Sequence, residues 1–278
     1  MEFKEFENNG LKIDQERVLT YSKLSCPLDC TYCFVDEMTQ EQSKGVAYLN
    51  ENQIRLLQNL PEQVRLIMLG CDTEFFQNKK EALDILEKLS SFGKDISVIT
   101  KIPLSEEYLQ SIANIAKKII AHGNVFSFSI SLPCFSGKMV EKYEPKVPDP
   151  LRRIETLKTA YKLGISTTLA IRPLLPDVSD EELSQIVGMT KDYCFGYYSG
   201  PLYLQEQKIK LLLPNYVSKP ETEIEPRWML DRNKYQVIET EGQMDFLKSL
   251  VKKNDRLFFE GAAESVEYLR NKNKYEKS

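Results

Sequence analysis

Three cysteines within eight residues carry the sharpest chemical signal in this chain of 278 residues. Residues 25–34 read Ser-Cys-Pro-Leu-Asp-Cys-Thr-Tyr-Cys-Phe, so Cys26, Cys30 and Cys33 stand in the spacing C-x3-C-x2-C. Thiolate is the soft ligand that iron–sulfur clusters take, and three thiolates this close can surround one metal centre. Three ligands rather than four leave one iron of a cluster open to another molecule. The competing reading is a zinc knuckle, but structural zinc takes four protein ligands. Its fourth would have to be a distant Cys or His. The chain has a single histidine, His122, in an Ala-His-Gly-Asn turn. Three unrelated buried thiols would seldom fall at this density.

Composition narrows the setting. Hydrophobic residues make up 42% and charged residues 28%, which fits a globular chain and excludes disorder over most of its length. Lys and Arg number 37 against 41 Asp and Glu, a net charge of −4. That balance gives no phosphate footprint for nucleic acid, although a local basic face is compatible with it. No run of ~18 apolar residues occurs, so no membrane span is expected. The acidic opening, residues 1–7, lacks the apolar core of a signal peptide. The expected location is the cytoplasm, where thiols stay reduced. Six cysteines at this length then point to metal or catalysis rather than a disulfide scaffold.

The elements that position these residues read as strand–helix alternation. Strands are predicted at 17–21, 64–69, 96–100, 125–132, 166–171 and 193–198. Helices are predicted at 50–60, 78–92, 105–118 and 149–163, and from Ser179 to about residue 191. Gly93 and Gly164 stop two of them, and Ser179 with Glu182 has the pattern of a capping box. Near-continuous apolar strands between amphipathic helices predict a parallel sheet covered by helices. Six such units imply an α/β fold of the open, partial (β/α)6 barrel kind. Beyond residue 200 the pattern changes. We expect a strand at 208–213, a loop at 218–226, then strand 235–239, helix 244–252, strand 256–260 and helix 262–270, with 271–278 frayed. The division expected is a core over 1–200 and an extension over 201–278 that closes the barrel mouth and carries substrate choice.

C-x3-C-x2-C with an aromatic, Tyr32, before the last cysteine resembles the signature of the radical S-adenosylmethionine (radical SAM) enzymes. The resemblance implies that Cys26, Cys30 and Cys33 hold a [4Fe-4S] cluster whose open iron is chelated by S-adenosylmethionine. It implies that reduction of the cluster cleaves the sulfonium to a 5′-deoxyadenosyl radical, which abstracts hydrogen from a substrate. It also implies a partial (β/α)6 barrel, which the alternation reaches independently.

The residues after the other predicted strands extend the resemblance, since barrel enzymes place function on those loops. Gly70-Cys71-Asp72-Thr73-Glu74 looks like a variant of the family's Gly-Gly-Glu segment, with Cys71 in place of the second glycine. There Asp72 or Glu74 would pair with the ammonium of S-adenosylmethionine; the plain alternative is a polar turn. Thr100-Lys101, Ser129-Ile130-Ser131, Glu144-Pro145, Arg152-Arg153 and Arg172-Pro173 with Pro176 resemble the spore photoproduct lyase-like branch over roughly residues 20–180. By that resemblance Lys101 contacts the carboxylate of S-adenosylmethionine, Ser129 its ribose, and Tyr32 lies beside the adenine. Arg153 is carried over as a cofactor contact, against the alternative of a salt bridge to Glu144. Lys101 has the alternative of a solvated loop charge. Arg172 reads as a binder of an anionic cofactor or substrate group, or as a structural residue. Cys71 matches in position a cysteine that returns a hydrogen atom to the product radical. Its alternative is a small residue filling a tight turn.

The functional expectation is a radical SAM enzyme, of lyase or oxidoreductase type, acting on an unidentified substrate with an external one-electron reductant. The lyase activity itself does not carry over, because the chain lacks that enzyme's expected basic footprint. The runner-up is a non-catalytic, cysteine-ligated metal-binding module, colourless with zinc and without affinity for S-adenosylmethionine. A degenerate barrel serving as a partner subunit stands behind both, disfavoured by the three intact cysteines.

Overall fold

A computed structural model describes residues 3–22, 24–37, 47–217, 220–230 and 233–275. Helix α1 (Lys4–Asn8) leads into an antiparallel hairpin of β1 (Leu11–Asp14) and β2 (Arg17–Thr20). Alternation then follows: α2 (Glu51–Gln58), β3 (Leu66–Leu69), α3 (Lys79–Leu89), β4 (Asp95–Thr100), α4 (Glu106–Ala121) and β5 (Phe126–Ser131). It continues with α5 (Gly137–Tyr143), α6 (Pro150–Lys162), β6 (Thr167–Ile171), α7 (Asp180–Thr190) and β7 (Gly196–Ser199). The remainder comprises β8 (Leu202–Leu204), α8 (Glu206–Leu212), β9 (Glu223–Ile224), β10 (Tyr235–Ile238), α9 (Gln243–Lys253), β11 (Leu257–Phe259) and α10 (Ala262–Tyr275).

Eight strands form one sheet in the order β1-β2-β3-β4-β5-β6-β7-β11, parallel from β2 to β11. β1 and β11 are its free ends, so the barrel is open. Side chains of a strand alternate between faces, and β5 shows what this does here. Phe126, Phe128 and Ile130 join the core shared with the helices. Ser127, Ser129 and Ser131 therefore point to the concave face, where they put three buried hydroxyls. Helices start where short polar side chains accept the first free N–H groups: Ser105 from Tyr108, Asp149 from Leu151 and Ser179 from Glu182.

Several local expectations need correction. Residues 208–213 lie in and just beyond helix α8 rather than in a strand; Ile209 and Leu212 are buried while Leu211 is exposed, a helical spacing. Ser179 caps α7, but the Glu182 carboxylate turns away and accepts from Phe135 N, Ser136 N and Ser136 Oγ, tying α7 to the loop after β5. The strand expected at 193–198 begins only at Gly196, because Lys191–Tyr193 forms a 3-10 turn. Helix α10 continues through Tyr275; the last residues of the expected frayed tail, 276–278, and Ser218 and Lys219 of the expected loop lie outside the described residues. Elements α1, β1, α5, β8 and β9 were not anticipated.

The residues beyond 200 divide between the two ends of the barrel. β8, β10 and β9 form a small antiparallel sheet that starts at the C-terminal end of β7. β11 instead joins the main sheet beside β7. Helix α10 then crosses the opposite end, where Val266 and Leu269 bury against Leu66 and Val125 at the starts of β3 and β5.

Candidate active site

The loops after β2, β3, β4 and β5 meet at one end of the sheet. Cys30 is buried in the loop after β2, whereas Cys26 and Cys33 are partly exposed. The loop is held from within by the Cys33 N–H, which donates to Cys30 O at 2.9 Å. It is held from outside by Thr31, whose N–H donates to Tyr143 O and whose Oγ1 donates to Lys142 O. Asp29 takes a left-handed φ of 46°, which Asp tolerates, and so turns the loop between the first two cysteines. Burial pushes the Cys30 thiol up to about 11, against the opposing pull of Lys101. Among the described residues, no three Cys, His, Asp or Glu converge on a single ion. Cluster cysteines each bind a different iron and need no such convergence. The all-thiol donor set therefore fits an iron–sulfur cluster.

Behind the cysteine loop stands a buried ionic network. The Tyr32 hydroxyl donates to Glu144 Oε1 at 2.6 Å. Lys101 Nζ lies 3.2 Å from the same oxygen, 2.5 Å from Ser131 Oγ and 5.7 Å from the Tyr32 ring centre. Arg153 Nη2 lies 2.8 Å from Glu144 Oε2, and its Nη1 donates to Ser131 O at 2.9 Å. Glu144 and Arg153 are wholly inaccessible to solvent. Burial works to raise the Glu144 pKa, but the charges of Lys101 and Arg153 outweigh it and hold the carboxyl below its usual range. Burial likewise works to lower the pKa of Lys101, and Glu144 and Cys30 overcome it, so the lysine stays charged. The salt-bridge alternative for Arg153 is thus present, and Lys101 is no solvated loop charge.

The loop after β3 is fixed next to this network. Gly70 has a φ of +85°, and a Cβ there would come 2.7 Å from Ile99 O, so only glycine passes. Its N–H donates to the Tyr48 hydroxyl at 2.6 Å, which also meets Thr20 Oγ1 at 3.0 Å. Cys71 Sγ is 3.5 Å from Met68 O, and burial pushes its thiol up to about 12, so it keeps its S–H. Asp72 accepts from Ser22 Oγ at 3.2 Å. The Glu74 carboxylate accepts from Thr100 Oγ1 at 2.7 Å, Lys101 N at 2.9 Å and Phe76 N at 3.1 Å. Those bonds commit Glu74 to joining the β3 and β4 loops.

Ser129 sits deeper on the concave face, bonded to Thr168 Oγ1 at 2.7 Å. Arg172 stands apart, at the end of β6 and against Gly200 after β7. Tyr48, Thr20 and the bonding of Glu74 escaped the sequence reading, since their partners are distant in the chain and carry no motif. The strict Phe-Ser alternation of β5 was a legible signal for the polar interior.

Comparison with known proteins identifies the family and the fold. A family model described as the radical SAM superfamily matches residues 24–189. The uncharacterized protein MJ0683 of Methanocaldococcus jannaschii is 25% identical over 196 residues, covering 68% of this chain and 72% of that protein. Spore photoproduct lyase complexed with dinucleoside spore photoproduct shares the fold at a TM-score of 0.58 and 12% identity, covering 85% of this chain and 75% of the lyase. Streptococcus suis SuiB bound to S-adenosylmethionine does so at 0.61 and 10% identity, covering 92% of this chain and 52% of SuiB. The chain belongs to the radical SAM superfamily, enzymes that use a [4Fe-4S] cluster and S-adenosylmethionine. Its sheet is accordingly the partial barrel expected of that family. Among the described residues, no helix is long and apolar enough to cross a membrane.

Proposed function

We propose that Cys26, Cys30 and Cys33 hold the cluster, and that the chain uses S-adenosylmethionine to abstract hydrogen from a substrate with electrons from an external one-electron donor. The observation that supports this best is the joining of the cysteine loop to the ends of β4 and β5 by Tyr32, Glu144, Lys101 and Ser131. When bound, the cluster and S-adenosylmethionine supply a carbon-centred radical able to take a hydrogen atom. The chain's own residues bind and orient. Lys101 offers an ammonium to the ligand's carboxylate, held in place by Glu144, Ser131 and the Glu74-anchored backbone. Asp72 faces the ligand's amino group, and Gly70 lets the backbone approach. Ser129 serves the ribose and Tyr32 the adenine. Arg153, fully buried, acts through Glu144 as a positioning residue. Cys71, which retains its S–H, serves as the hydrogen-atom donor to the product radical. Residues 1–200 form the catalytic core, and the small sheet of the 201–278 extension borders the substrate end.

The test is anaerobic purification, reconstitution with iron and sulfide, and assay for 5′-deoxyadenosine after adding dithionite and S-adenosylmethionine. We expect a dark chromophore and 5′-deoxyadenosine, both lost in Cys30→Ala. Zinc in place of the chromophore, with no product, overturns the proposal in favour of a metal-binding module.

A further inference from the structure

We infer that Arg172 anchors an oxyanion of the substrate, so that the molecule acted on carries a carboxylate or phosphate group. The inference deepens the proposed function and rests on it. Arg172 directly follows β6, at the same end of the sheet as the cysteine loop. Other sheltered arginines of the chain have anionic or carbonyl partners. Arg153 has Glu144, Arg270 has Asp95, Arg17 has Asp14, and Arg256 has Lys191 O. Half-buried Arg172 makes no hydrogen bond and no ion pair among the described residues. Leaving a guanidinium partly desolvated without a counter-charge is unfavourable, and an anionic ligand would relieve it.

The surroundings are built to admit that guanidinium. A Cβ at Gly200 would lie 3.0 Å from Arg172 Cζ, 3.2 Å from Nε and 3.3 Å from Nη1. A Cβ at Gly261 would lie 3.6 Å from Nη1. The segment after β7 is thus tight against the guanidinium at Gly200, and the segment after β11 passes it at ordinary van der Waals distance at Gly261. The phenols of Tyr198 and Tyr203 are near enough to feel its charge, though burial dominates both. A guanidinium fork fits the two oxygens of a carboxylate or phosphate in parallel. S-adenosylmethionine already has Lys101 for its carboxylate, at the end of β4. Arg172 is two strands further along, beside Gly200 and the start of the small sheet.

The test uses the full-length, cluster-loaded protein at low ionic strength, titrated calorimetrically with inorganic phosphate and with succinate. We expect saturable binding of at least one probe, weakened about tenfold or more in Arg172→Gln. The preferred probe tells a phosphoester from a carboxylic acid substrate. Gly200→Ala keeps the charge but crowds the guanidinium, and should weaken the same probe. Arg172→Lys keeps the charge without the fork, so it guards against misfolding of the Gln variant and should also bind more weakly. Failure of wild type to bind either probe at about 10 mM, or equal binding by wild type and both Arg172 variants, overturns the inference. So does loss of S-adenosylmethionine affinity in Arg172→Gln as large as the loss of probe affinity, which would assign Arg172 to the cofactor. S-adenosylmethionine binding and 5′-deoxyadenosine formation by wild type report separately on the proposed function.

Discussion

Glu144 holds two sheltered cations, Lys101 and Arg153. Arg153 has no solvent exposure, and Lys101 is 14% exposed. Removing one member of a buried ion network strands the others, at a cost of about 3–5 kcal/mol. Glu144→Gln should therefore lower unfolding free energy by about that much in urea titrations. The double variant Glu144→Gln with Arg153→Met should recover part of it, because one of the two stranded charges is gone. The pH dependence has a definite sign. The folded Glu144 pKa is below its unfolded value, so its stabilising share is present above about pH 4.3 and fades as pH falls through the depressed value. The folded Lys101 pKa is raised, so its share is present below about pH 10.4 and fades only as pH rises through the raised value. Between those limits Lys101 stays charged. Affinity for S-adenosylmethionine should show no titration from this pair between about pH 5 and pH 10. Isothermal titration in that window checks it, and Glu144→Gln should weaken binding throughout.

The loops work because strands fix their ends, and two glycines show how little slack exists. At Gly70 an added Cβ would strike backbone, Ile99 O on β4, in a conformation unfavourable to other residues. Gly70→Ala should cost about 1–3 kcal/mol and shift the Asp72 loop. Affinity for S-adenosylmethionine should fall in the same variant, measured on folded protein with its cluster. At Gly196 a Cβ would stand 2.5 Å from the Phe259 ring and 2.9 Å from Leu257 O, so β11 would have to move. Much of this scaffold was legible from sequence. The cysteine spacing, the strand-ending Gly70 and Lys101, the helix starts at Ser105 and Asp149 and the cap Ser179 all rest on neighbours along the chain. What escaped is non-local. Residues 208–213 (KIKLLL) look apolar enough for a strand, and only burial of Ile209 and Leu212 makes them helix. The Glu182 carboxylate prefers N–H donors 46 and 47 residues away to its own helix start. Tyr48 meets Gly70 from 22 residues away, and no local pattern announces it.

The two ends of the barrel have different work, and the extension serves both. At the cysteine end, Lys208 of α8 donates to Cys33 O, and the Tyr21 hydroxyl donates to Trp228 O at 2.8 Å. Substitutions there should change chemistry. At the opposite end α10 is a plug. Arg270 Nε lies 2.7 Å and Nη2 2.5 Å from Asp95 Oδ2, at the first residue of β4, while Asp95 Oδ1 accepts from Val125 N at 2.7 Å. Asp95 is only 3% exposed, so Arg270→Ala leaves its carboxylate buried with a single N–H donor in place of the guanidinium fork. Arg270 is itself 17% exposed, and solvent entering that gap tempers the penalty to about 2–3 kcal/mol. A loss of that size lowers the melting temperature by about 4–10 °C for a chain of this length. Because this plug lies at the end of the barrel opposite the cysteine loop, the loss should be confined to stability. Cluster content and 5′-deoxyadenosine yield per cluster should match wild type well below the melting point. Differential scanning calorimetry and the product assay on one preparation decide it. A fall in yield at full cluster content would mean that the plug also sets the curvature on which the loops at the other end depend.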